Sequence, residues 1–156
     1  MKIIFLDIDG VLNSQRYDRT RSDTDGNVDV SRLPLLKSIK DGADAEIVLT
    51  STWRVNWDPK AKSANDVGSM LLDLFLSFGI ALYDRTPYIG NDRPREVRTW
   101  LNEHPDVESF VIIDDIKFGW EELDPMVVKT DYRIGRGLEQ HHVEKALQIL
   151  RAADGR

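Results

Sequence analysis

The sequence predicts an α/β fold, a three-layer sandwich in which a mainly parallel sheet is covered by helices. Three observations carry this. Short apolar runs at residues 2–6, 45–49, 80–83, 109–113 and 126–129 alternate with stretches whose apolar residues recur at helical spacing, the order expected of strand-helix-strand units. The stretch from Met1 to Leu6 has the continuous apolar character of a strand covered on both faces. Carboxylates stand directly behind two of the runs, Asp7 after the first and Asp114-Asp115 after the fourth.

Each helix has its own signals. Behind the first strand, Ser31 is placed to cap a helix whose Leu33, Leu35, Leu36 and Ile39 form an apolar face, with Pro34 near its start and Gly42 at its end. A second helix is expected over residues 65–77, with Val67, Met70, Leu71, Leu74 and Phe75 at helical spacing and Gly79 stopping it. A third covers residues 95–103, with Val97, Trp100 and Leu101 inward. A fourth covers residues 138–150, with Val143, Ala146, Leu147 and Leu150 inward, and the last six residues read as a frayed end.

Length and composition bound what this sheet can be. At 156 residues the chain has the size of one ordinary domain, expected to span residues 1–156, and can bury a core without staples. With 41% hydrophobic and 31% charged residues it is neither a disordered nor a membrane-embedded type, and no apolar stretch reaches spanning length. The first residues lack the layout of a signal peptide, which makes cytoplasmic residence the simpler expectation. The absence of cysteine excludes disulfides and thiolate metal sites. A net charge of −6 argues against general adhesion to nucleic acid but leaves room for a local basic rim.

Two polar stretches break the alternation, residues 13–28 and residues 55–62. The first is rich in Arg, Asp, Ser, Thr and Gly, lacks an apolar period and follows the first strand directly. It reads as a surface loop over whatever lies at that strand's end, too short to be a separate cap domain.

Ligands of a parallel α/β sheet bind outside the carboxyl ends of its strands, so residues at those ends should converge. The first strand ends in Asp7 and Asp9 with Gly10 behind them, where glycine permits a sharp turn and close approach of a ligand. The second ends in Thr50-Ser51-Thr52-Trp53-Arg54, the fourth in Asp114-Asp115, and the helix before the fourth opens with Arg93-Pro94-Arg95-Glu96. Repulsion among Asp7, Asp9, Asp114 and Asp115 is relieved most simply by a divalent cation. Hard oxygen donors without cysteine favour Mg²⁺, and Mg²⁺ held by a few carboxylates suits phosphoryl transfer.

The segments Phe5-Leu6-Asp7-Ile8-Asp9-Gly10-Val11-Leu12-Asn13, Ile47-Val48-Leu49-Thr50-Ser51, Arg93 and Val111-Ile112-Ile113-Asp114-Asp115 resemble, in order, the four signature motifs of the haloacid dehalogenase (HAD) superfamily. The resemblance spans about residues 2–130 and is nearest to the small HAD-type domains found alone or in multidomain RNA-repair proteins. It implies a Rossmann-like fold with a minimal cap. Two acids in the first motif imply a phosphatase or phosphotransferase rather than a dehalogenase.

Carried over residue by residue, the resemblance makes Asp7 the nucleophile that forms an aspartyl-phosphate, and Asp9 the acid and then base, its backbone carbonyl on the metal. Thr50 matches the hydroxyl that bonds a transferring phosphate oxygen, with Ser51 as the alternative one residue on. Asp114 matches the third metal ligand, and Asp115 a ligand through water or a partner of the ligands. The third motif is usually a lysine, yet no lysine lies between Lys62 and Lys117. Arg93 takes the matching position, with Arg95 as competitor; arginine supplies the same charge and grips phosphate bidentately.

Trp53-Arg54, with Arg16, Arg19 and Arg21, is expected to flank the mouth of the site. Arg54 is a candidate reader of substrate phosphate, since arginine beside an aromatic suits a nucleotide or oligonucleotide. His104, His141 and His142 receive no role, and Trp57, Trp100 and Trp120 read as packing residues. The function expected is a Mg²⁺-dependent phosphomonoesterase whose open site admits a nucleotide or a nucleic-acid terminal phosphate. A small-metabolite phosphatase and a catalytically idle binding or regulatory domain are the alternatives.

Overall fold

A computed structural model of the chain describes residues 1–14, 28–56, 66–133 and 135–155. Its elements are β1 (Lys2–Leu6), α1 (Leu33–Ala43), β2 (Ala45–Leu49), α2 (Asp66–Ser77), β3 (Leu82–Arg85), α3 (Arg93–Asn102), β4 (Ser109–Asp114), β5 (Val127–Lys129) and α4 (Gln140–Arg151). The five strands form one sheet in the order β3-β2-β1-β4-β5, and every pairing is parallel.

Alternate residues of β1 divide the core in two, as the period of a strand requires. Ile4 and Leu6 face α1, α2 and α4, packing with Leu36 and Ile39, with Leu74 and Phe75, and with Val143 and Leu150. Ile3 and Phe5 face α3, where Val97 and Trp100 join Trp120 and Leu123. The Phe5 and Trp100 rings meet edge to face at 5.5 Å.

The chain moves outward from β1 to β2 and β3, then returns to the other side of β1 for β4 and β5. The order therefore reverses between β1 and β4, the switch point at which ligand sites of open α/β sheets lie. Register brings the strand ends level there. Leu6 pairs with both Leu49 and Ile113. The Asp7 amide then donates to the Ile113 carbonyl at 3.0 Å, and the Thr50 amide to the Leu6 carbonyl at 2.8 Å.

Several element ends differ from the sequence expectation, each for a local reason. Ser31 does not cap α1; it donates from its amide and hydroxyl to Asp29, which caps the preceding 3-10 turn Val30–Arg32. Gly42 lies inside α1, which ends one residue later at Ala43 and is capped by a left-handed Asp44 with φ 52°. A Cβ on Gly42 would stand 3.0 Å from Leu147, so that glycine serves the contact between α1 and α4. The third strand begins at Leu82 because Ile80 closes the turn behind α2, its amide bonding the Phe75 carbonyl at 2.9 Å. Asp92 accepts from the Arg95 amide and starts α3 at Arg93.

Glu139 starts α4 at Gln140, two residues later than expected. Residues 151–155 are not frayed: Ala152–Gly155 is a 3-10 turn, and Asp154 pairs with Lys2 at 2.7 Å. The expected inward positions Val67 and Met70 of α2, most of the polar stretches 13–28 and 55–62, and Trp57 lie outside the described residues or side chains. At the edges of the first stretch, Asn13, Ser14 and Val28 are buried rather than in a surface loop.

Candidate active site

Behind β1 the chain makes one helical turn, with the Val11 and Leu12 amides bonding the Ile8 carbonyl at 3.1 and 2.8 Å. Gly10 sits in it at φ +80°, and a Cβ there would run into the Asp115 carboxylate. Glycine is thus required twice, by backbone conformation and by the approach of an acid. Thr130, which follows β5, anchors the turn by donating its hydroxyl to the Gly10 carbonyl at 2.8 Å.

This turn gathers the acids. Asp7, Asp114 and Asp115 each offer a carboxylate oxygen within 4.8 Å of the others. Asp7 and Asp114 are buried and Asp115 is partly so. Burial, and then the neighbouring Asp114 charge, pushes the Asp7 carboxyl well above the usual carboxylate range, although Arg93 pulls it down. Burial likewise pushes Asp114 up to about 6 against the opposing pull of Arg93. An oxygen-only cluster whose members cannot comfortably ionise together fits a hard divalent cation, whose charge would relieve burial and repulsion at once.

Arg93 is the cation the structure provides. Its Nη1 donates to Asp114 at 2.7 Å and stands 3.3 Å from Asp7. Burial works against its charge, but Asp7 and Asp114 more than offset this and raise its pKa. Arg95, the competing candidate, is two residues further round the same first turn of α3 and is exposed. Only Arg93 of the two reaches the acids, because Asp92 fixes the helix start one residue before it.

Two buried polar atoms of this site have no partner among the described residues: the Thr50 hydroxyl and the Arg93 Nε. Leaving such a group unsatisfied costs about 1–3 kcal/mol, and an anionic ligand with several oxygens would satisfy both. The Ser51 hydroxyl accepts from the Trp53 amide at 3.3 Å, so of the two hydroxyl candidates Thr50 has its oxygen uncommitted.

Asp9 stands apart from the acidic cluster. Its carboxylate accepts from Asn13 Nδ2 at 3.0 Å and from Trp53 Nε1 at 3.3 Å, which leaves its side chain outside the group that could hold a metal. Asn13 also accepts from the Gly10 amide at 2.8 Å, tying the acid to the turn. Neither contact was legible as a role. Asn13 followed the acids in sequence, but Trp53 is 44 positions from Asp9.

Arg54 corrects an expectation. It does not lie at the mouth as a phosphate reader but is 1% exposed. Its five N–H groups go to the carbonyls of Thr50, Ser51, Thr86 and Pro87 and to Glu96, the last at 2.6 Å. It clamps the ends of β2 and β3, and Glu96, which no motif flagged, compensates its charge. Arg16, Arg19 and Arg21 lie outside the described residues. Trp100 and Trp120 are buried in the core as expected.

A parallel sheet with an acidic cluster, a buried cation and an uncommitted hydroxyl at its switch point defines a HAD-type α/β domain, a class that carries hydrolase chemistry. The chain belongs to the family of the HAD domain in Swiss Army Knife RNA repair proteins, whose pattern it matches over residues 3–143. No curated protein and no solved structure matches it. Among the described residues, no helix is long and apolar enough to cross a membrane.

Proposed function

We propose that the protein is a Mg²⁺-dependent phosphomonoesterase that works through an aspartyl-phosphate on Asp7 and acts on terminal phosphates of nucleotides or nucleic acids. The observation that carries this reading is the contact of Arg93 with both Asp7 and Asp114, at a strand end where the Thr50 hydroxyl has no partner among the described residues. That arrangement prepares a cation and a donor for an anion brought against a carboxylate. The nucleic-acid part rests on family membership, an argument by analogy.

Asp7, Asp114 and Asp115, together with the Asp9 carbonyl, would hold Mg²⁺, which supplies neutralisation of charge between the nucleophile and the phosphate when bound. The Asp7 carboxylate attacks phosphorus in line with the ester oxygen, forming the O–P bond as the ester P–O bond breaks. Asp9 gives its proton to the departing oxygen. Arg93 and the Thr50 hydroxyl bond the equatorial phosphoryl oxygens, where they stabilise the charge of the transition state. Asp9, now ionised, takes a proton from water, whose oxygen attacks the phospho-aspartate, frees inorganic phosphate and restores Asp7.

Arg93 in place of the usual lysine gives no support to an idle domain, since it reaches both acids. The reading is tested with a panel of mononucleotides, sugar phosphates and 3′- or 5′-phosphorylated oligonucleotides, with and without Mg²⁺. Turnover of nucleotide or oligonucleotide esters is expected. Turnover of sugar phosphates alone would favour a small-metabolite phosphatase, and no hydrolysis of any ester would favour a binding module.

A further inference from the structure

The ends of β2 and β3 border an open cavity of about 550 Å³, lined by Thr52, Arg54, Arg85, Thr86, Pro87 and Tyr88. Its size falls in the range of small-ligand pockets, roughly 300–1,000 Å³. The phosphoryl chemistry uses none of Thr52, Arg85, Thr86, Pro87 or Tyr88. We propose that this cavity is the leaving-group subsite and takes the nucleoside of a nucleoside phosphate, with its base stacked on Tyr88. The assignment rests on the phosphomonoesterase reading.

Position is the first argument. The group that protonates the leaving oxygen marks the side on which the leaving group sits. Asp9 accepts a hydrogen bond from Trp53, and Thr52 and Arg54, the residues on either side of Trp53, line the cavity. One 3-10 turn, Thr52–Asn56, therefore touches both the proton donor and the cavity. Thr50, whose hydroxyl has no partner among the described residues, precedes that turn by two residues.

Chemistry is the second. Tyr88 is 56% exposed, an aromatic surface offered to solvent at the cavity wall. One face of its ring is attracted by the Arg54 guanidinium, which lies 5.6 Å from its centroid and is itself fixed by five hydrogen bonds. An aromatic ring backed by a buried cation is a prepared stacking platform. The cavity lining also includes Arg85, which is held by its bond to the Arg54 carbonyl at 2.7 Å. A flat base with its ribose fits such an aromatic wall better than a sugar phosphate does.

The test compares wild type, Tyr88→Ala and Tyr88→Phe on a nucleoside monophosphate, a short oligonucleotide with a terminal phosphate, and ribose 5-phosphate, which lacks the base. In Tyr88→Ala the kcat/KM ratio of base-bearing ester to ribose 5-phosphate is expected to fall about tenfold, through KM, while Tyr88→Phe keeps it. A loss on both base-bearing esters supports a subsite for any nucleotide, and a loss on the oligonucleotide alone supports one for a polymer end. Equal change on all three esters, or no change, overturns the subsite and leaves the phosphomonoesterase reading standing.

Binding separates the two readings further. Asp7→Asn and the double variant Asp7→Asn/Tyr88→Ala are titrated with the nucleoside monophosphate by calorimetry. About tenfold weaker binding by the double variant, with wild type hydrolysing none of the esters, supports the subsite and overturns the catalytic reading. Equal binding by the two variants overturns the subsite.

Discussion

The indole N–H of Trp53 donates to the carboxylate of Asp9 at 3.3 Å, across 44 residues of sequence. Asn13 holds the other oxygen at 3.0 Å, so the proposed proton carrier is fixed from two sides. A general acid contributes most where the leaving group is poor, and such groups supply roughly 10²–10⁴-fold. Asp9→Asn is expected to slow hydrolysis of alkyl phosphates by about that factor and of activated aryl phosphates far less. Trp53→Phe keeps the ring and removes the donor. It should slow the alkyl esters about fivefold, in keeping with the loss of one exposed hydrogen bond of about 1 kcal/mol, and leave the aryl esters within about twofold. Equal losses on both ester classes would assign the indole to packing alone.

Arg93 contacts both Asp7 and Asp114, whereas Arg95 is exposed. Arg93→Ala is expected to lower kcat on an aryl phosphate by about 10²–10³-fold, the usual effect of removing one donor from a developing charge. Arg93→Lys restores the charge without the planar fork and should fall between. Arg95→Ala should stay within about twofold. Steady-state kinetics on the three variants ranks them, and a large loss in Arg95→Ala alone would reverse the assignment.

Arg54 and Glu96 form an ion pair at 2.6 Å with both side chains buried. Burial pulls the Arg54 pKa down and Glu96 opposes it, so the carboxylate compensates a charge that the interior disfavours. Removing one partner of such a pair leaves an uncompensated charge, at about 3–5 kcal/mol. Glu96→Ala is expected to lower unfolding stability by about that amount in urea denaturation. Because Arg54 also bonds the Thr50 and Ser51 carbonyls, kcat should fall as well. A change below about 1 kcal/mol would show that the pair is not what holds this strand end.

What the sequence made legible follows from how locally each feature is determined. Asp7 and Asp114 could be placed because an apolar run defines a strand and the residue behind it defines the end. The same logic placed Thr50 after Ile47-Val48-Leu49. Arg93 and Arg95 could not be separated without knowing that Asp92 caps the helix, since two residues on a helix start point in different directions. Arg54 misled because its type and its aromatic neighbour suit phosphate, while the partners that consume it, Thr86, Pro87 and Glu96, lie 32 to 42 positions away. The Trp53 contact with Asp9 was hidden for the same reason.

His142 was given no role from sequence, yet it sets a pH dependence. At the start of α4 its Nδ1 accepts from the Glu139 amide at 2.9 Å while the Glu139 side chain accepts from the His142 amide, a reciprocal cap. Acceptance requires Nδ1 to be unprotonated. Burial, and then neighbouring His141 with a smaller push from Lys145, holds the His142 pKa below its ordinary 6.5, although Glu139 and a bond to the Lys129 backbone pull it up. The unfolded chain therefore takes up this proton first as pH falls. Stability contributed by the neutral ring is complete above pH 6.5 and is lost as pH drops through the lower folded value. His142→Gln keeps an acceptor for the Glu139 amide and cannot titrate. Urea midpoints measured between about pH 5 and pH 7.5 should show wild type losing stability on acidification relative to this variant, the difference vanishing above about pH 7 except for a constant offset. Parallel curves across the whole range would mean that the reciprocal cap does not couple to the ring's protonation.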